Sequence, residues 1–144
     1  IVLVAATSSL ACPGRSGRVG RMKVTPSRGN VAGKRLVVID DSSVRGTSTR
    51  AVVALLRESG AAEIHLRISS PPYSWPCYFG MDTGARGEMI AADLTISEER
   101  DYLGCHTLAY LDLDRLVAAT GVTAGGFRTA CITGESPVTV PRAK

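Results

Sequence analysis

The segment from Arg35 to Thr49 constrains this chain most. Arg35-Leu36-Val37-Val38-Ile39 is a β-branched run without alternation, and the acids Asp40 and Asp41 follow at once. Such a run predicts a central parallel strand covered on both faces. A polar turn spans Asp40 to Gly46, and Thr47, Ser48 and Thr49 offer N-caps to a helix. Val52, Leu55 and Leu56 share one face of that helix, and Gly60 stops it. Ile64, Leu66 and Ile68 then alternate with Glu63, His65 and Arg67, as in a strand with one polar side or near an edge. Strand, turn, helix and strand in this order make a βαβ unit. The expected fold class is therefore α/β, with a mostly parallel sheet flanked by helices.

The surroundings of this unit are less sharply marked. Ile1 to Ala5 is compatible with a buried strand, and the rest of the first 17 residues carries little signal. Arg15 to Gly33 is basic, Gly-rich and broken by Pro26, which predicts a mobile loop with one short strand at Met22 to Val24. Pro71, Pro72 and Pro76 force an extended loop around Trp75, Cys77 and Tyr78. Helices are expected at Gly87 to Ala92 and at Ser97 to Leu103, the second opened by Thr95 and Glu98 as a capping box. Leu108 to Leu111 suits a short strand. Asp112 caps a last helix with Leu113, Leu116 and Val117 inward and Gly121 after it.

Charge and cysteine usage bound the function. The 144 residues give room for one domain and show no internal repeat. Residues 1–39 hold seven basic residues and no acid, while the remainder sets ten basic residues against thirteen acids. A one-sided basic arm points to an anionic partner. Nucleic acid is disfavoured, because no aromatic residue interleaves with the charges over residues 13–36. No apolar run approaches the roughly 20 residues that a membrane span needs. Cys12, Cys77, Cys105 and Cys131 are widely spaced with no CxxC pair, so free thiols are expected. His65 and His106 show no ligand or catalytic spacing.

The chemistry concentrates in Asp40-Asp41-Ser42-Ser43-Val44-Arg45-Gly46-Thr47-Ser48-Thr49. Two carboxylates stand where a parallel strand ends, the edge at which open α/β sheets bind ligands. A hydroxyl- and glycine-bearing loop then enters a helix, whose N–H groups form a phosphate cradle. Gly46 allows close approach, and Ser42, Thr47 and Ser48 add donors. Carboxylates beside a phosphate repel it unless sugar hydroxyls or Mg²⁺ mediate. The pattern asks for a phosphorylated sugar.

This segment resembles the phosphoribosyl diphosphate (PRPP) signature of type I phosphoribosyltransferases. Its flanks are similar to the amidophosphoribosyltransferase branch: Arg21-Met22-Lys23-Val24-Thr25-Pro26, Gly33-Lys34-Arg35, Ile68-Ser69-Ser70-Pro71-Pro72, Trp75-Pro76-Cys77-Tyr78-Phe79-Gly80-Met81-Asp82-Thr83, Glu88-Met89-Ile90-Ala91-Ala92, Tyr102-Leu103-Gly104, Leu108-Ala109-Tyr110-Leu111 and Thr129-Ala130-Cys131-Ile132-Thr133-Gly134-Glu135. The resemblance implies a partial type I phosphoribosyltransferase fold. It also implies a cytoplasmic enzyme of purine synthesis that displaces pyrophosphate from PRPP with ammonia derived from glutamine. The implied cofactor is Mg²⁺ at Asp40 and Asp41. The implied PRPP-binding residues are Asp40, Asp41, Ser42, Arg45, Gly46, Thr47 and Ser48, with Lys23 as a catalytic cation facing pyrophosphate.

In one branch of the family four cysteines hold a [4Fe–4S] cluster, and Cys77 and Cys131 match two of them. Arg128 stands where a third falls, and Cys12 and Cys105 match none, so a cluster here is at most a remnant. Residues 18–144 are expected to be the C-terminal part of a phosphoribosyltransferase domain. Residues 1–17 stay unmatched and the glutaminase domain is absent, so the chain is expected to be incomplete for the full reaction. The resemblance further implies a homo-oligomeric parent enzyme. A non-enzymatic PRPP- or nucleotide-binding regulatory module on the same fold is the alternative.

Overall fold

Four parallel strands, β1 (Val2–Ala6), β2 (Arg35–Asp40), β3 (Glu63–Ile68) and β4 (Thr107–Tyr110), lie side by side in sequence order. They belong to a computed structural model that describes residues 1–6, 28–78, 85–122, 126–136, 138 and 139. Lys23, Cys12, Phe79 to Thr83 and the strand expected at Met22 to Val24 lie outside the described residues. Register fixes what the strands share. Val4 lies beside Val38, Val38 beside Leu66, and Leu66 beside Leu108. At the C-terminal ends Ala6, Asp40, Ile68 and Tyr110 form one row across the sheet.

Alternation governs burial in both central strands. Leu36, Val38 and Asp40 are buried in β2, as are Ile64, Leu66 and Ile68 in β3. The opposite face of β2 carries exposed Arg35, half-buried Val37 and Ile39, the last 36% exposed. The expectation of a strand covered on both faces is thus corrected: among the described residues the core lies on one face only. The uniform β-branching of Val37, Val38 and Ile39 reflects what a pleated strand accommodates, not double coverage. For β3 the expected polar side is observed, with Glu63, His65 and Arg67 off the core, although the strand is central between β2 and β4.

The core forms where helices cover the even-numbered face. In α2 (Thr47–Glu58) Thr49, Val53 and Leu56 are buried, at positions i, i+4 and i+7. The expected face was displaced by one residue, since Val52 and Leu55 are only half-buried. Val31 of the single-turn α1 (Arg28–Val31), Ile90 of α3 (Ile90–Asp93) and Leu103 of α4 (Ile96–Leu103) join Leu36, Val38, Ile64 and Leu66 in one cluster. Truncating such a Leu or Ile to Ala costs about 2–5 kcal/mol.

Local signals explain most element ends. Thr95 accepts from the Glu98 amide at 3.3 Å, and Glu98 returns to the Thr95 amide at 2.8 Å, the expected capping box of α4. Asp112 accepts from the amides of Asp114 and Arg115, starting α5 (Leu113–Ala119). The helix expected over Gly87 to Ala92 is instead a 3₁₀ turn (Arg86–Glu88) and α3. Met89 divides them with extended backbone at φ −91° and ψ 120°.

The proline loop docks on the short α6 (Ala130–Thr133). The Ser74 and Trp75 amides donate to the Cys131 carbonyl at 3.1 and 3.0 Å. Gly134 lies against the indole at φ +80°, where an added Cβ would stand 2.7 Å from Trp75 Cε2. The Arg86 guanidinium stacks on the same ring, 4.1 Å from its centroid. Trp75 is the sole tryptophan, so it reports on this docking directly. Gly134→Ala should shift Trp75 emission to the red and destabilise the chain by roughly 1–3 kcal/mol. Unchanged emission together with an unchanged urea midpoint would contradict this packing.

Candidate active site

The even-face alternation of β2 carries Asp40 inward and leaves Asp41 exposed. Asp40 is 4% exposed, and its carboxylate accepts from the Asp41 amide at 3.0 Å and from Thr49 Oγ1 at 3.4 Å. Its carbonyl accepts from the amide and hydroxyl of Ser69, at 2.9 and 3.1 Å, tying the end of β2 to the residue after β3. Burial foremost, helped by the hydrogen bond and charge of Asp41 and opposed by the Asp41 amide and the Thr49 hydroxyl, raises the Asp40 pKa from 3.8 to about 6.

Past the acids the loop is fastened to the segment before α3. The Ile90 amide donates to the Val44 carbonyl at 2.9 Å. Arg45 grips Glu88 through Nε at 2.9 Å and Nη2 at 2.8 Å. Gly46 sits at φ +70° as the N-cap of α2, and an added Cβ would lie 2.7 Å from Ile90 Cδ1. Only glycine meets both demands. The expected side-chain caps are corrected here. No side chain caps α2, because the N-cap residue is Gly46 and Thr47, Ser48 and Thr49 all lie inside the helix. The first-turn amides of α2 therefore keep their donors for an anion. Ser42 and Ser48 are half-buried beside them and Thr47 is exposed.

Of the sequence-derived residues, the structure brings Asp40, Asp41, Ser42, Gly46, Thr47 and Ser48 to the end of β2, the loop after it and the first turn of α2, and commits the Arg45 guanidinium to Glu88. Cys77 and Cys131 come near each other. Burial pushes the Cys131 thiol up, and Cys77 adds to it. Among the described residues no three His, Cys, Asp or Glu side chains gather as metal ligands do. A four-thiolate cluster does not fit this set, with exposed Arg128 at the third position. Cys105 and Cys131 are free thiols. His106 accepts the Ile64 amide at 3.0 Å, and His65 faces Glu63 and Thr107. Sequence reasoning missed buried Ser43 and buried Glu99, whose carboxylate accepts from the hydroxyl of half-buried Tyr110. The signal was available, since Glu99 precedes inward Leu103 by four residues.

No protein-family model matches the chain. An amidophosphoribosyltransferase of Synechocystis is 46% identical over 123 residues, covering 85% of this chain and 25% of the relative. Amidophosphoribosyltransferase 2, chloroplastic, of Arabidopsis thaliana is 47% identical over 118 residues, 82% of this chain and 21% of the relative. Over most of its length the chain is thus similar to amidophosphoribosyltransferases. The chain spans about a quarter of the length of the curated relatives it matches. A B. subtilis glutamine PRPP amidotransferase, solved with ADP and GMP, superposes with a TM-score of 0.79 at 30% identity over 98% of this chain and 39% of that one. A structure described as the allosteric regulatory enzyme of purine biosynthesis gives 0.75 at 38% identity, over 90% and 30%. The parallel sheet with flanking helices is thus part of a type I phosphoribosyltransferase fold.

The raised Asp40 has a stability consequence. An acid that holds its proton more tightly in the folded chain favours folding while protonated. That contribution is lost as pH rises from 3.8 through about 6. Asp40→Asn should therefore raise stability at pH 7.5 by on the order of 1–2 kcal/mol, discounted for relaxation of Asp41 and solvent, and match the parent at pH 4. Urea melts at the two pH values decide it. A variant less stable than the parent at pH 7.5 would contradict the burial argument.

Proposed function

We propose that this chain is the PRPP-binding portion of an amidophosphoribosyltransferase, the glycosyltransferase that joins ammonia to C1 of PRPP and releases pyrophosphate. One observation carries the reading: an uncapped helix N-terminus opens directly after a buried and an exposed carboxylate at the end of a parallel strand. That juxtaposition suits a ligand with a phosphate at one end and hydroxyls beside it. The first-turn amides of α2, Thr47 and Ser48 would hold the 5′-phosphate. Asp41, and Asp40 behind it, would accept from the ribose hydroxyls.

The residues present fit a hard divalent cation carried by the substrate. Two adjacent carboxylates, one with a raised pKa, gain from a positive charge, and Mg²⁺ binds through one or two carboxylates plus substrate oxygens. When bound, Mg²⁺ neutralises the departing pyrophosphate. The chain's own contribution is placement and charge. Negative Asp40 and Asp41 favour the positive character that the sugar carbon gains as its bond to pyrophosphate breaks. Lys23, outside the described residues, is assigned to the leaving pyrophosphate. Arg45 acts by fastening the loop to Glu88.

In this reading ammonia comes from glutamine through a glutaminase domain outside this chain, within a homo-oligomeric enzyme. A cytoplasmic location suits the free thiols. No helix among the described residues is long and apolar enough to cross a membrane. The partner is a small molecule, not a nucleic acid.

Titrating Mg²⁺-PRPP against the chain and against Asp40→Asn/Asp41→Asn, by calorimetry, tests the site. Binding should fall at least tenfold in the double variant, the loss expected when charged hydrogen-bond acceptors are neutralised. Equal binding by both proteins would remove the acids from the site. Pyrophosphate release on adding ammonia distinguishes an enzyme from a binding module.

A further inference from the structure

We propose that the segment from Arg86 to Ala91 is a positioning element that couples the docking of Trp75 to the order of the loop 41–46. The inference rests on the reading of that loop as a phosphate cradle. Four contacts reach the segment, and they are divided between two loops. Arg86 stacks on the Trp75 indole, 4.1 Å from its centroid. Glu88 takes the Arg45 guanidinium at 2.9 and 2.8 Å. The Ile90 amide donates to the Val44 carbonyl at 2.9 Å, and the Ala91 carbonyl accepts from Ser74 Oγ at 3.0 Å. The outer two contacts thus hold the proline loop, and the inner two hold the loop after the acids. Both loops also meet at their roots, where the Ser69 amide and hydroxyl donate to the Asp40 carbonyl.

The core does not place the first half of this segment. The 3₁₀ turn Arg86–Glu88 buries no residue, and nothing lies within 4 Å of a Cβ added at Gly87. Met89, 2% exposed, is the first residue that the core holds. The turn is therefore positioned by what its two charged side chains touch. Each contact alone is weak, because a surface ion pair or cation–π pair works against the entropy of ordering its groups. Together they reinforce each other. Once Trp75 holds Arg86 the turn is ordered, and Glu88 meets Arg45 at a smaller entropic cost. Such coupling is reciprocal, so a ligand that orders the loop also tightens Trp75 in its docked place.

The test is a double-mutant cycle between Arg86→Ala and Glu88→Ala in the full chain, read by hydrogen exchange of the peptide spanning 41–49. Arg86 stacks on a ring outside that peptide. Its loss should nonetheless speed exchange there about two- to fivefold, the range set by one exposed cation–π contact, while β2 and β3 stay protected. Arg86→Lys, which keeps a cation over the ring, should preserve the parent rate. Glu88→Ala should speed exchange by a similar factor and shift the emission of Trp75, the sole tryptophan, to the red. The double variant should be no faster than Glu88→Ala, because without the Arg45 pair the turn no longer acts on the loop. Unchanged exchange in Arg86→Ala, or additive effects in the double variant, overturns the inference. Equal acceleration in β2 and β3 would mark a merely structural role and overturn it as well. Mg²⁺-PRPP should move Trp75 emission to the blue in the parent but not in Glu88→Ala, and binding without that shift counts against the coupling. Absence of binding by the parent chain would defeat the function proposed above, and the exchange cycle would still decide this one.

Discussion

Strict alternation along β2 sends Asp40 to the same face as Leu36 and Val38, so the chain buries a carboxylate at the rim of its own apolar core. The surrounding geometry answers that placement. Thr49, inside α2, donates to Asp40, and Gly46 at the N-cap leaves the helix amides without a side-chain cap. Ser69 takes the Asp40 carbonyl and fixes the gap between β2 and β3. A carboxylate pushed toward pH 6 by burial and by Asp41 is then poised to respond to any cation or hydroxyl donor that arrives. Moving Asp40 one residue along the strand would put it on the open face and dissolve all three consequences together.

How much of this was legible in the sequence depended on the range of the interaction concerned. Strand and helix periods are local, and they located β2, α2, β3, α4, β4 and α5 to within a residue or two. The capping box at Thr95 and Glu98 and the cap at Asp112 were equally local. The loop acids, Gly46 and the hydroxyls stood out as a string because contiguous residues build the cradle. What the sequence could not show was which polar group each one would choose. Thr49 reads as a cap by position, and only the packing of α2 on β2 makes Asp40 the nearer partner. Arg45 reads as an anion ligand, yet Glu88, 43 residues on, holds it. Coverage of the second face of β2 is likewise a tertiary fact that residue type does not encode.

The unfavourable features of the molecule are not spread evenly. A raised carboxylate at Asp40, the unsatisfied Ser43 hydroxyl, the left-handed Gly46 and the buried Glu99 all lie at or beside the C-terminal edge of the sheet. The opposite ends of β2 and β3 show ordinary surface solutions, such as Arg35 paired with Glu63 at 2.6 Å in the open. Exposed pairs of that kind contribute about 0–1 kcal/mol, so they neither explain nor offset the costs at the other end. The offset comes from the cluster of Leu36, Val38, Val53, Leu56, Ile64, Leu66, Ile90 and Leu103.

That division gives the fold its logic. Ile90 and Leu103 belong to the core cluster and also crowd Gly46, so the residues that stabilise the sheet are the ones that set the height of the loop. Glu88 and Ile90 hold the outer side of the loop through Arg45 and Val44, while Asp40 holds its root. A loop fixed at its root and its outer side needs little further ordering when a ligand arrives. The entropy of fixing it is met during folding instead of binding. Strain at the strand ends is therefore the counterpart of preorganisation, and relieving it at Asp40 should stabilise the chain while weakening the site.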